Sequence, residues 1–166
     1  MNAAEPVIRA AGPDDLDVLA GFALAMASET ENLALDEPKL RAGVAALLAD
    51  PARGRTFVLE SGGELAASLM LTTEWSEWRN GFFWWIQSVY VRPSQRGCGH
   101  YRRLHEHVRV LAARDPGVCG LRLYVHEGNR QATATYRRLG MCPSGHLVYE
   151  ADWSTLAQLQ AQPQPL

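Results

Sequence analysis

The order of apolar and polar positions along the chain predicts four helices. In each, apolar residues recur every three or four positions, and a helix-starting or helix-ending residue lies beside the run. The first helix follows Asp14, the second begins at Glu37 or Pro38 and ends before Asp50, the third precedes Asp115, and the fourth opens at Asn129. Their apolar faces carry Leu16, Leu19, Ala20 and Ala23; Leu40, Val44, Leu47 and Leu48; Tyr101, Leu104, Val108, Leu111 and Ala112; and Ala132, Tyr136 and Leu139.

Runs rich in β-branched and aromatic residues predict strands at 7–10, 56–60, 64–73, 82–91, 121–125 and 146–151. The Ser61-Gly62-Gly63 turn makes the second and third strands a hairpin. The run at 82–91 is the strongest, and simple alternation makes both of its faces largely apolar, which predicts a central strand. Alternation assigns Phe82, Trp84, Ile86, Ser88 and Tyr90 to one face and Phe83, Trp85, Gln87, Val89 and Val91 to the other.

The predicted helices and strands are interspersed along the whole chain. At 166 residues, the chain has the length of one ordinary domain, and no linker or repeat divides it. We therefore expect a single domain over residues 1–153. Residues 154–166 are rich in Gln and Pro, which predicts a flexible tail.

Composition and charge exclude several classes of protein. A hydrophobic fraction of 47% is typical of globular proteins, and a net charge of −2 lacks the basic excess of a nucleic-acid binder. Three cysteines without C-x-x-C spacing predict neither a zinc site nor a disulfide framework. No apolar run reaches the roughly 20 residues of a membrane helix. We expect a cytoplasmic protein without a metal, a nucleic-acid partner or a membrane partner.

A glycine-rich turn between the strongest strand and the third helix is the first functional signal. Residues 95–101 read QRGCGHY, and a helix N-terminus after glycines offers backbone N–H groups and a favourable dipole to an anion. A P-loop would need Gly-Lys-Ser/Thr, and a dinucleotide fingerprint would need a third glycine where Arg102 lies. The alternative is a glycine-eased helix start without a ligand.

Residues 89–99, VYVRPSQRGCG, resemble the phosphate loop of the GNAT superfamily of N-acetyltransferases, whose pattern is Arg/Gln-x-x-Gly-x-Gly/Ala. Arg96 corresponds to the leading basic residue and Gly99 to the first glycine. Tyr101 departs from the pattern, because the second glycine or alanine usually lies there. Residues 129–141, NRQATATYRRLGM, are similar to the same superfamily's Asn-x-x-Ala-x-x-x-Tyr-x-x-Leu-Gly-Phe/Met throughout. More narrowly, residues 74–81 followed by residues 84–91 resemble an uncharacterised bacterial subgroup of this superfamily.

The resemblance covers most of the chain and implies a fold and a co-substrate. It implies an α/β (α+β) fold with a mixed, mostly antiparallel central sheet of about six to seven strands, flanked by about four helices, and with a splay between the central strands. The co-substrate is acetyl-CoA, and many relatives pair as homodimers. The residues expected to bind CoA are Val89, Tyr90, Val91, Arg96, Gly97, Cys98, Gly99, His100, Tyr101, Arg102 and Asn129.

The implied reaction is transfer of an acetyl group to a primary amine of a small molecule, peptide or protein. The departing thiolate needs a proton, and a tyrosine is protonated at neutral pH, so Tyr136 is the expected acid. Glu74 is the first choice of base, with Glu77, Glu29 and Glu31 behind it. The alternatives are a non-catalytic acyl-CoA-binding module and a structural protein that binds no CoA.

Overall fold

Five strands form one sheet in the computed structural model, which describes residues 5–126, 128–149 and 151. The strands lie in sequence order, with antiparallel pairing except for the parallel pair β4 and β5. Contacts divide the chain into two units, Met1–His126 and Glu127–Leu166. The first contains β1 Val7–Ala10, α1 Leu16–Glu31, α2 Glu37–Ala49, β2 Arg55–Ser61, β3 Glu64–Ser76, β4 Gly81–Val91, α3 His100–Arg114 and β5 Val118–Arg122, and the second contains α4 Arg130–Arg138.

The predicted mixed fold with four helices is confirmed, but the prediction of six to seven strands is wrong for the described residues, which form five. Residues 146–149, where a sixth strand was predicted, are not in a strand, and Leu147 and Tyr149 are exposed. A strand exists only where a neighbouring backbone completes its hydrogen bonds, which an apolar sequence pattern does not supply. The predicted tail at 154–166 lies outside the described residues, and the single domain stays a prediction.

A β-bulge in β4 overturns the simple alternation expected for this strand. Met70 pairs with Ser88 whereas Leu71 pairs with Ile86, so Gln87 is an extra residue in β4. A bulge of one residue reverses which face the following side chains occupy. Trp84 and Ile86 therefore share the α3 side of the sheet with Val89 and Val91, while Ser88 and Tyr90 face α1 and α2.

Two layers of helix cover the sheet. Leu104 and Val108 of α3 are fully buried against a core that includes Leu69 and Trp84. The other face of the sheet meets α1 and α2, where Phe22 packs against Tyr90 with ring centroids 5.0 Å apart. The long strand β4 is thus held on both faces, as expected for a central strand.

A partly buried ion pair fixes the start of α1. Arg9 donates to both carboxylate oxygens of Asp15 at 2.7 and 2.8 Å, and the Gly12 N–H donates to the same carboxylate at 2.8 Å. Asp15 is only 6% exposed. The hydrogen bonds from Arg9 lower the pKa of Asp15 below its usual value of 3.8, despite burial, which acts in the opposite direction.

This lowered pKa predicts a pH-dependent contribution of Asp15 to stability. The contribution is complete above the unfolded-state pKa near 3.8 and is lost as the pH falls through the lower folded-state pKa. We expect Asp15→Asn to lower the free energy of unfolding by about 1.5–3 kcal/mol at pH 7. Urea titrations from pH 7 to pH 3 should show this deficit shrinking only below about pH 4. The exposed Asp14→Asn in the same turn serves as the control, and a deficit at Asp15 that is constant with pH would contradict the assignment.

Candidate active site

The parallel strands β4 and β5 separate halfway along β4. Their pairing begins at Phe82 with Val118 and ends at Trp85 with Arg122, whereas β4 continues to Val91. The splay implied by the sequence resemblance is therefore present as a loss of ladder pairing after Trp85.

The second half of β4 turns unpaired backbone groups toward the splay. The Arg92 N–H donates to the Ala66 carbonyl at 2.9 Å, and hydrogen-bonded pairs alternate in an antiparallel ladder. Tyr90 therefore directs its backbone groups toward β3, while Val89 and Val91 direct theirs to the opposite side. Those groups have the direction that binding of an extended ligand requires.

Side-chain hydrogen bonds organise the bulge at Gln87. The Gln87 amide donates to the Thr72 hydroxyl at 2.8 Å, and its carbonyl oxygen accepts from the Tyr124 hydroxyl at 2.7 Å. Tyr124 follows β5, so this bond spans the splay. Sequence reasoning missed Gln87 and Tyr124, because neither the bulge nor the pairing across 37 residues leaves a periodic signal.

Glu74 lies at the apex of the splay. One carboxylate oxygen accepts from Arg122 at 2.6 Å, and the other accepts from the indole N–H of Trp85. Trp85 and Arg122 are the last pair of the β4–β5 ladder, so Glu74 ties the two strands together where they diverge. The base role of Glu74 stays a prediction, and both carboxylate oxygens already have a hydrogen-bond partner.

The phosphate loop leaves β4 through a single 3₁₀ turn at Pro93–Gln95 and enters α3 at His100. Gly97 and Gly99 have φ of 81° and 79°, a region where a Cβ costs about 1–2 kcal/mol. Within the described residues, the N–H groups of Gly97, Cys98, Gly99 and His100 have no hydrogen-bond acceptor. These unpaired donors are concentrated in one short segment.

A diphosphate fits this loop. No atom lies within 4 Å of a Cβ built on Gly97 or Gly99, and the first turn of α3 carries no acidic side chain. Open space, free N–H donors and the positive end of a helix are the features that bind phosphate through the backbone. The loop is therefore suited to hold the diphosphate of CoA, with exposed Arg102 adding positive charge.

The side chain of His100 connects the end of the loop with Gln95 at its start. It is buried, and its Nε2 lies 3.2 Å from the Gln95 side-chain oxygen, across the loop. Burial lowers the pKa of His100, which favours the neutral ring. Of the other residues predicted here, Tyr101 is half-buried and Cys98 is exposed.

Arg96 joins the loop to two other elements. Its Nε donates to the Val91 carbonyl at 3.0 Å, and its terminal nitrogen donates to Glu29 at 2.6 Å. The other oxygen of Glu29 accepts from the Tyr90 hydroxyl at 2.9 Å. The Arg96 guanidinium lowers the pKa of Glu29, and burial raises that of Tyr90. The structure thus brings together predicted residues Tyr90, Val91 and Arg96 with Glu29, a lower-ranked candidate base.

The second unit contains the other predicted motif. Asn129 caps α4, because its side-chain oxygen accepts from the Ala132 N–H at 3.0 Å. Tyr136 is half-buried, and burial raises its pKa above 10, so the phenol stays protonated at neutral pH. The CoA-binding role of Asn129 and the acid role of Tyr136 stay predictions.

Two features are absent from the part of the chain that the structure describes. No helix there combines the length and the apolar character that a bilayer crossing requires. No three or more His, Cys, Asp or Glu side chains in the same part of the chain are grouped closely enough to hold a metal ion.

Comparison with known proteins identifies the class of the protein. A family model described as "Acetyltransferase (GNAT) family" matches residues 22–141. The chain is therefore an acyltransferase by class. It belongs to the acetyltransferase (GNAT) family, which confirms the resemblance found in its motifs. None of the curated proteins compared with the chain matches it.

Solved structures agree with this family. A "possible acetyltransferase" from Clostridium difficile 630 is 41% identical, with a TM-score of 0.83 over 89% of this chain and 97% of the other. Two more distant structures share the fold. The aminoglycoside N-acetyltransferase AAC(6')-Iy in complex with CoA is 12% identical, with a TM-score of 0.74 over 92% and 97% of the two chains. A ribosomal-protein-alanine N-acetyltransferase from Brucella melitensis biovar Abortus 2308 is 14% identical, with a TM-score of 0.71 over 89% and 99%.

The loop geometry predicts that Gly99→Ala weakens CoA binding at least tenfold. A methyl group would project from a backbone that must approach the diphosphate, and the positive φ would be strained. The matched control is Gly62→Ala, which has φ of 64° and equally open surroundings in the β2–β3 turn. Calorimetric titration should show normal CoA affinity for Gly62→Ala. Equal affinities of the two variants would contradict the diphosphate site.

Proposed function

We propose that the protein transfers the acetyl group of acetyl-CoA to a primary amine. The proposal rests on a series of backbone groups in the first unit that the sheet leaves without a strand partner, one of which, the Val91 carbonyl, accepts from the Arg96 side chain. They run from Val89 and Val91 of β4 to the N–H groups of Gly97 to His100. An extended ligand with a diphosphate at one end would satisfy both sets, and membership of the acetyltransferase family supports the same ligand.

The proposed reaction forms a bond between the amine nitrogen and the acetyl carbon and breaks the carbon–sulfur bond. The nitrogen loses a proton, and the departing thiolate gains one. We assign the second proton to Tyr136, because a tyrosine whose pKa is raised by burial remains a donor at neutral pH. Asn129 would bind the pantetheine arm or orient a water. Glu74 remains the proposed base at the apex of the splay.

The acceptor is proposed as a small molecule, a peptide terminus or a protein lysine. The distant relatives named above act on an aminoglycoside and on a ribosomal-protein alanine, and at 12% and 14% identity they support the fold alone. A panel of amines should therefore include representatives of all three classes. Release of free CoA from acetyl-CoA is the readout, and we expect at least one amine to accelerate it above the rate without amine.

One observation favours a second candidate, a non-catalytic acyl-CoA-binding module. Glu74 is held by Arg122, and Glu29 is held by Arg96, so two candidate bases are ion-paired. A module of this kind would bind CoA tightly and release none of it with any amine. Tight binding with no turnover across the panel would favour this candidate, whereas absence of CoA binding would exclude both.

The acid role of Tyr136 predicts that Tyr136→Phe lowers kcat about 100-fold while CoA affinity changes less than twofold. Removing the hydroxyl removes the proton donor but keeps the aromatic ring. The control is Tyr149→Phe, since Tyr149 is 88% exposed in the same unit. Single-turnover kinetics at saturating substrate measure the chemical step. Unchanged single-turnover rates for Tyr136→Phe would remove this residue from the acid role.

A further inference from the structure

Arg96 hydrogen-bonds to two groups that the proposed ligands would use, the Val91 carbonyl and the Glu29 carboxylate. Arg96 Nε hydrogen-bonds to the Val91 carbonyl, one of the backbone groups turned toward the splay. Its terminal nitrogen binds Glu29 at the end of α1, 67 residues away in sequence. The same guanidinium lies over the Tyr90 ring, 5.6 Å from its centroid. Arg96 therefore connects the phosphate loop, the end of β4 and the end of α1.

Glu29 stands beside an apolar cavity of about 70 Å³ between α1, α2 and the sheet. Met26, one helical turn before Glu29, lines the cavity together with Phe22, and so does Tyr90, which hydrogen-bonds to Glu29. Thr56 also lines it, and its buried hydroxyl has no hydrogen-bond partner among the described residues. The cavity is about half the 150 Å³ that accommodates benzene, so it suits a short alkyl group.

The ion pair between Arg96 and Glu29 is weak enough to exchange. Its side chains are 48% and 39% exposed, and exposed pairs contribute little because water and salt screen them. A diphosphate carries more charge than one carboxylate and accepts the paired donors of a guanidinium. Arg96 leads the loop whose N–H groups at Gly97 to His100 have no acceptor among the described residues. A bound diphosphate would therefore compete with Glu29 for Arg96.

We propose that Arg96 and Glu29 form a latch that CoA opens. CoA draws Arg96 from Glu29 and from the Val91 carbonyl, and the released Glu29 binds the cationic group of an acceptor whose short alkyl part enters the adjacent cavity. Without CoA, the Arg96 guanidinium therefore occupies the position at Glu29 that the acceptor's cation takes when CoA is bound. This inference rests on the proposed function, because it presumes that CoA binds the loop. It makes CoA the first ligand and an amine that carries a cationic group besides the nitrogen to be acetylated the second.

Calorimetric titration of CoA into a double-mutant cycle tests the latch. Glu29→Gln should tighten CoA binding about two- to five-fold in the wild-type background, since Arg96 no longer has to leave a carboxylate. In the Arg96→Gln background, Glu29→Gln should have no effect. The control Glu31→Gln removes the same charge two residues further along and should change CoA affinity less than Glu29→Gln. An equal effect of Glu29→Gln in both backgrounds, or none in either, would overturn the latch.

A simple cation tests the acceptor half of the proposal. Ethylammonium chloride supplies an ammonium group on a short alkyl chain, and CoA, unlike acetyl-CoA, allows no turnover. CoA should bind more tightly in ethylammonium chloride than in sodium chloride of the same ionic strength, because ligands that favour the same state bind cooperatively. The difference should vanish in Glu29→Gln. Equal CoA affinity of the wild-type protein in both salts would contradict the cation site.

Different results would contradict the proposed function and the latch. A wild-type protein that binds no CoA contradicts the proposed function itself. A protein that binds CoA normally but shows neither the cycle nor the ethylammonium effect retains the proposed function and lacks the latch.

Discussion

The proposed ligand site depends on the unequal pairing of β4 with its two neighbouring strands. The strand has eleven residues, and β3 pairs with it along almost its whole length, while β5 pairs only as far as Trp85. Backbone groups inside a protein need hydrogen-bond partners. The groups of Val89 and Val91 that face away from β3 are left for something other than the sheet, and an extended ligand meets this need without side-chain chemistry.

Two ion pairs mark the limits of this unpaired segment. Glu74 and Arg122 hold the apex, where β4 and β5 diverge, and Glu29 and Arg96 hold the other end, next to the phosphate loop. The apical pair links Glu74 of β3 to Arg122, which belongs to the last β4–β5 ladder pair, and so holds the end of that ladder in place. The second pair uses a residue of the loop itself, so its partners change if an anion binds there. The same type of interaction thus acts as a fixed clamp in one place and as an exchangeable contact in the other.

Sequence patterns predicted the features that depend on residues close together in the chain. Helical periodicity predicted all four helices, and the glycines at 97 and 99 predicted the loop, because a positive φ nearly requires that residue. The sequence did not reveal the bulge at Gln87, since its cause is the register against β3 and not a residue preference. The contacts of Glu74 and Glu29 join residues 48 and 67 positions apart, and only the tertiary structure determines them. The expected sixth strand is absent at 146–149 for the related reason that pairing, unlike alternation, is not local.

Amide hydrogen exchange of β4 and the phosphate loop, followed by NMR with and without CoA, shows which backbone N–H groups CoA pairs with. We expect CoA to slow exchange at Val89 or Val91 and at Gly97 to His100, whose N–H groups lack partners without it. Tyr90 should change little, because its N–H already faces β3. Uniform changes along β4, or no change at Val89, Val91 and the loop despite bound CoA, would contradict the binding of CoA by these backbone groups.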